Sequence, residues 1–134
     1  MPAAGDHALL YDADCGLCRT VVGVLLWLDR GRRLRAVALQ SPEAGELLPA
    51  MGADERMASV HVVGPGGSVY SGGAALAALA SLLPGGRPAA SALAALPAVA
   101  DRAYALVAGN RGRLGELVPR RLRSWADCQI ARRA

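Results

Sequence analysis

Ala8-Leu9-Leu10-Tyr11-Asp12-Ala13-Asp14-Cys15-Gly16-Leu17-Cys18-Arg19, continuing into Thr20-Val21-Val22-Gly23-Val24-Leu25-Leu26-Trp27-Leu28, is the stretch on which the reading of this chain turns. An apolar run ending in Asp12 predicts a short buried strand, and the apolar stretch after Cys18 predicts a helix. The two cysteines therefore fall where a strand hands over to a helix. Residues separated by two others at the first turn of a helix lie side by side, close enough for their sulfurs to bond or for both to hold one metal.

At such a place the free N–H groups and the positive end of the helix dipole favour a thiolate at Cys15, the form that attacks disulfides. Arg19, one helical turn on, adds a cation in the same direction. Asp12 and Asp14 oppose it, because a carboxylate disfavours a second negative charge nearby. The spacing leaves three readings of the pair open: dithiol redox chemistry, a metal site, and two buried structural thiols. A metal needs further ligands, and the sequence offers His7, His61, Cys128 and carboxylates without a second Cys-x-x-Cys. Dithiol chemistry is the favoured reading.

With 134 residues, 53% of them hydrophobic, the chain suits a single domain spanning residues 1–134 and is not disordered in composition. All fifteen basic residues are arginine, and the net charge is +4. They cluster at Arg30, Arg32, Arg33 and Arg35 and again at Arg120, Arg121 and Arg123. No aromatic residues interleave with the first cluster, so solvated surface is expected and no nucleic-acid partner. Met1 to Asp6 lacks the basic flank of a secretory signal, and an odd number of cysteines suits a reducing compartment, which makes the cytoplasm the expected location. From Met57 to Ala100 the one formal charge is Arg87. Pro65, Pro84, Pro88 and Pro97 cut this stretch into pieces shorter than the roughly 20 residues of a membrane span. No membrane span is expected.

In chain order, the helix after the cysteines carries Leu17, Val21, Val24, Leu25 and Leu28 as a stripe, which Val22, Leu26 and Trp27 broaden, so burial nearly all round is expected. Gly31 is the expected left-handed cap. Leu34 to Leu39 forms a second strand, parallel to the first because one helix separates them. Ser41-Pro42 starts a short helix running to about Ala50, with the Ser41 hydroxyl as cap. Ser59 to Val63 and Ser68 to Tyr70 form an antiparallel hairpin around Gly64-Pro65-Gly66-Gly67. Gly72-Gly73 leads into a helix with Leu76, Leu79, Leu82 and Leu83 on one side, stopped by Pro84. A Cys-x-x-Cys beside this βαβ order predicts a thioredoxin-like α/β fold: a four-stranded mixed sheet of order 2-1-3-4 with helices on both faces.

This core covers about residues 7–84, and a C-terminal helical extension follows over about 88–128. Pro88 to Leu96 is Ala-rich and partly helical. Pro97 opens a firmer helix with Leu96, Val99, Ala103, Leu106 and Val107 expected to face inward. The last ten residues are expected to fray.

Tyr11-Asp12-Ala13-Asp14-Cys15-Gly16-Leu17-Cys18 resembles the signature of the DCC family of predicted thiol-disulfide oxidoreductases, whose pattern Asp-x-x-Cys-x-x-Cys falls here on Asp12, Cys15 and Cys18. Ser59-Val60-His61-Val62-Val63 before a Gly-rich turn, and Tyr104 followed by Asn110-Arg111, are similar to the family's central hairpin and C-terminal helix. The resemblance covers roughly residues 8 to 115 and implies a thioredoxin-like fold and a dithiol activity. Two departures stand out. Ala13 replaces the Gly that family members usually carry after the Asp, and Met57-Ala58-Ser59 holds no proline where thioredoxins place one before the third strand.

The resulting expectation is a thiol-disulfide oxidoreductase without cofactor or metal, acting on a protein or low-molecular-weight disulfide or thiol. Cys15, the more exposed and more acidic thiol, attacks; Cys18, turned inward, resolves the mixed disulfide; Asp12 accepts the proton of Cys18. The competing role for Asp12 is a helix cap. The alternative for the whole chain is a non-catalytic metal-binding or protein-interaction module on the same fold. Cys128 is read as a lone tail thiol, His61 as a core or surface residue, and Arg111 as structural.

Overall fold

Strand β1, His7–Tyr11, is flanked on both edges, which is why a run this apolar forms it. In the computed structural model, which describes residues 7–133, β1 pairs in parallel with β2, Leu34–Ala38, placing Leu9 opposite Ala36. On its other edge it pairs antiparallel with β3, His61–Val63, placing Leu9 opposite Val62. β3 continues antiparallel into β4, Val69–Ser71, completing a mixed sheet of order 2-1-3-4. The reading of Met1 to Asp6 lies outside the described residues.

Alternation along β1 sorts the core into two halves. Leu9 and Tyr11 pack with Val22 and Leu26 of α1, Gly16–Leu28, and with Ala75, Leu79 and Leu82 of α4, Gly73–Leu82. Ala8 and Leu10 face the other way, onto Ala44 and Leu48 of the α2 region, where α2 is Pro42–Leu47. Helices thus cover both faces, an α/β arrangement consistent with a thioredoxin-like fold. Four more helices follow: α5, Arg87–Ala95; α6, Pro97–Gly109; α7, Arg111–Leu117; and α8, Arg120–Arg132. Among the described residues no single helix is long and apolar enough to cross a membrane.

Several local expectations are corrected. The single helix from Pro42 to about Ala50 stops at Leu47, because Leu48 precedes Pro49 and leaves helical geometry (φ −122°, ψ 57°). A second short helix, α3, Ala53–Met57, takes its place before the hairpin. The Ser41 hydroxyl does not cap α2; it donates to the Ala38 carbonyl at 2.7 Å. The left-handed residue after α1 is Arg32, φ 52°, and not Gly31. Asp29 sets this turn: its carboxylate accepts from the Arg33 and Leu34 N–H groups at 3.1 and 2.8 Å, and its carbonyl accepts from Arg32 N–H. That anchoring offsets the roughly 1–2 kcal/mol of a non-Gly left-handed residue.

α1 is not buried all round. Val21, Trp27 and Leu28 remain exposed, and the buried side is Thr20, Val22, Gly23 and Leu26. Gly23 is where α8 crosses, so close that a Cβ would overlap Ala126. Trp27 meets the edge of Trp125 of α8 at 6.0 Å between ring centres. Up to Arg133 the C-terminal residues are therefore docked on α1, where fraying was expected. Arg133 ends α8 by donating to the Leu26 and Asp29 carbonyls at 2.8 and 3.0 Å and by pairing with the buried Asp29 carboxylate at 3.1 Å.

α6 is partly rotated from its expected facing. Leu96, Val99 and Leu106 are more than half exposed and Ala100 is buried, whereas Ala103 and Val107 keep the expected side and line a hollow between α1, α4 and α6. Two contacts fix the rotation. The Tyr104 hydroxyl accepts the Val60 N–H at 2.7 Å, and Ala100–Asp101 presses on the backbone of Gly73, where no side chain fits. A residue one turn before Tyr104 on the same face is Ala100, and the leucines fall elsewhere.

Candidate dithiol site

Asp12 to Cys15 form the link between β1 and α1, and Cys15 itself occupies the N-cap of the helix, extended at φ −94° and ψ 115°. Its N–H donates to the Asp12 carbonyl at 3.2 Å. Its sulfur accepts the Cys18 N–H at 3.3 Å, standing where a serine or aspartate oxygen caps other helices. A sulfur so placed lies at the positive end of the helix dipole. Cys15 and Cys18 are both partly buried and both carry free thiols.

Burial pushes the Cys18 thiol up to about 12, with the adjacent Cys15 adding to the rise, Arg111 opposing it, and Asp12 adding a smaller push. Cys18 is therefore held protonated under ordinary conditions.

Asp12 does not cap α1, since Cys15 holds that position. One carboxylate oxygen accepts from Asp14 N–H at 2.9 Å and from the Gln40 amide at 2.7 Å. The other lies 3.7 Å from the Arg111 guanidinium, and the side chain is 13% exposed. Gln40 also accepts the Ala13 N–H at 3.1 Å, tying the loop to the end of β2. Ala13 lies outside the left-handed region; among the described non-glycine residues Arg32 alone enters it. The alanine is thus accommodated where the family usually has glycine.

Two hollows of about 420 Å³ each border the pair. Cys18 lines a largely apolar one between α1, α4 and α6. Cys15 lines a polar one with Asp14, Glu116 and Arg123. Asp12 and Arg111 line both, so the ion pair is the partition between them.

The sequence reading placed Arg19 as the cation of the site, but its guanidinium pairs with Asp127 of α8 at 3.6 Å. Arg111, read as structural, is the cation at the ion pair, and Arg123 reaches over Gly16 from α8. Gln40, Arg123 and Tyr104 were missed as parts of the site. Gln40 reaches the site through the β1–β2 pairing and Arg123 and Tyr104 through helix docking far along the chain; the sequence marked Tyr104 and Arg111 only as similar to the family's C-terminal helix, without a role at the site. His61 lies elsewhere: it is buried on the other side of the sheet, bonded to the Ser71 hydroxyl at 2.6 Å and the Arg56 carbonyl at 2.9 Å. Because a carbonyl only accepts, Nε2 carries the proton and Nδ1 accepts from Ser71. Cys128 is exposed on α8 and lines neither hollow. Among the described residues no three His, Cys, Asp or Glu side chains converge so as to hold a metal ion.

A mixed sheet whose first strand delivers a Cys-x-x-Cys pair to the start of a helix defines an α/β dithiol protein. The model of the DCC1-like thiol-disulfide oxidoreductase family matches residues 9–117, and the chain belongs to that family. No curated protein and no solved structure matches it.

Proposed function

We propose that this chain is a thioredoxin-like thiol-disulfide oxidoreductase in which Cys15 is the attacking thiol, Cys18 the resolving thiol and Asp12 the base that relieves Cys18 of its proton. The observation that carries this reading is the Cys15 sulfur in the N-cap of α1, one hydrogen bond from Cys18 N–H. Cys15 as thiolate attacks a disulfide R–S–S–R′ and expels one thiolate, leaving Cys15 in a mixed disulfide. Cys18 then loses its proton and attacks the Cys15 sulfur. The Cys15–Cys18 disulfide forms, the second thiolate leaves with that proton, and two electrons have passed to the substrate. A thiol reductant restores the dithiol.

The arrangement around Cys18 supports Asp12 as acceptor. Asp12 shares the wall of the apolar hollow with Cys18, and its carboxylate acts on that thiol electrostatically. Dithiol reduction of this kind suits a reducing compartment, and the cytoplasm is the proposed setting. The substrate belongs to the disulfides and thiols, whether of proteins or small molecules.

Titration against a thiol–disulfide buffer tests the reading. A reversible two-electron couple that vanishes in Cys18→Ser, together with a stable mixed disulfide on Cys15 in that variant, is expected. Absence of a reversible couple in the unsubstituted protein overturns it.

A further inference from the structure

Bond exchange at the dithiol needs two sulfurs and a proton acceptor, and none of these requires about 420 Å³ of apolar space beside Cys18. Protein interiors close voids of this size, since walls without neighbours forfeit dispersion contacts. Small-molecule sites, in contrast, run to roughly 300–1,000 Å³ with apolar walls and few polar groups. The walls here come from Val21 and Leu25 of α1, Leu76 and Leu83 at α4, and Ala103 and Val107 of α6.

The charged groups on those walls and one of the hydroxyls are already engaged. Asp12 and Arg111 face one another, and the Tyr104 hydroxyl takes the Val60 N–H. Such a lining favours an uncharged, largely apolar occupant, because an ion entering it would give up water without gaining a counter-charge. Cys18 lines this hollow and its N–H meets the Cys15 sulfur at 3.3 Å, so a body lodged in the apolar side brings an attached sulfur beside the pair.

We infer that the apolar hollow seats the hydrocarbon body of a low-molecular-weight disulfide substrate and presents its sulfur to Cys15. The inference rests on the dithiol reading and deepens it. In R–S–S–R′ with R in the hollow, Cys15 attacks the sulfur bearing R and expels R′–S⁻. Cys18 then gives its proton to Asp12 and attacks the Cys15 sulfur. The Cys15–Cys18 disulfide closes, and R–S⁻ departs with that proton. The dithiol is oxidised by two electrons and the substrate is reduced to two thiols.

The test is a single-turnover series on the pre-reduced protein, using alkyl thionitrobenzoate disulfides with ethyl, butyl, hexyl and octyl chains. The leaving thiolate is coloured and common to all four, so intrinsic reactivity stays nearly constant. The second-order rate constant is expected to climb roughly fourfold per added methylene until the hollow is full, the factor that burial of a methylene supplies. Ala103→Trp, which fills the space, is expected to draw the octyl-to-ethyl ratio back toward one. A flat series in a protein that still reacts with the ethyl member overturns the inference and leaves the dithiol reading standing; no reaction with any member overturns both.

Binding provides a readout that needs no redox step and no folded Ala103→Trp. In Cys15→Ser/Cys18→Ser, displacement of one equivalent of the uncharged dye N-phenyl-1-naphthylamine by 1-octanol supports the site. Failure of 1-octanol to displace the dye overturns it.

Discussion

Cys18 carries the clearest consequence at the scale of single residues, because its thiol is pushed up to about 12 by burial from an ordinary value of 9.0. Between those values the unfolded chain releases a proton that the folded chain retains. Stability therefore falls as pH rises through that window, and below it the group contributes no slope. Urea unfolding of the reduced protein at about pH 8 and about pH 10.5 should show a drop that Cys18→Ala reduces. A drop of equal size in Cys18→Ala would remove the assignment. The same protonation makes Cys15 react with iodoacetamide ahead of Cys18 near neutral pH, read by peptide mass. Faster modification of Cys18 would reverse the two roles.

Asp12 separates base from scaffold by what its amide analogue does. Asn keeps the acceptor for Asp14 N–H, but it takes no proton and no longer balances Arg111. Asp12→Asn is expected to slow release of the mixed disulfide roughly 10²-fold, near the lower end for a lost general base. Its Cys15 alkylation rate should change far less. Equal slowing of both steps would mean that the loop has shifted and that Asp12 is a positioning residue.

Among the elements, the strands and α1 were readable because their signals are local. An apolar run, a Cys-x-x-Cys and a Pro at the first helical turn each act within a few residues. The facing of α6 was not readable, since Ala100 and Tyr104, rather than the larger leucines, make the contacts that fix it. The role of Arg111 escaped for a related reason: its partner, Asp12, lies near the other end of the chain. His61 illustrates a polar residue that sequence cannot sort from a ligand, because its two partners come from α3 and β4. His61→Phe leaves the Arg56 carbonyl and the Ser71 hydroxyl unpaired and is expected to cost about 1–3 kcal/mol in chemical unfolding. Retention of full stability would show that water replaces the ring.

For the molecule as a whole, the family match ends at residue 117 while α8 runs over Arg120–Arg132. α8 nevertheless closes the side of α1 at Gly23 and neutralises a carboxylate that is wholly buried. Arg133→Met keeps the stem but leaves Asp29 without its cation. A loss of about 3–5 kcal/mol is expected, the cost of breaking a buried pair on one side. Thermal unfolding of Arg133→Met indistinguishable from the parent would show that the backbone N–H groups alone satisfy Asp29. The clamp also sets an order in time. Asp29 emerges from the ribosome 104 residues before the arginine that completes its shell. At about 5–20 residues per second that is an interval of roughly 5–20 s. During synthesis, then, the helix that begins at the cysteine pair exists first in an unfinished form, with its Gly23 groove open and the Asp29 carboxylate without its arginine. Closure of the dithiol helix is a late event in the life of each new chain.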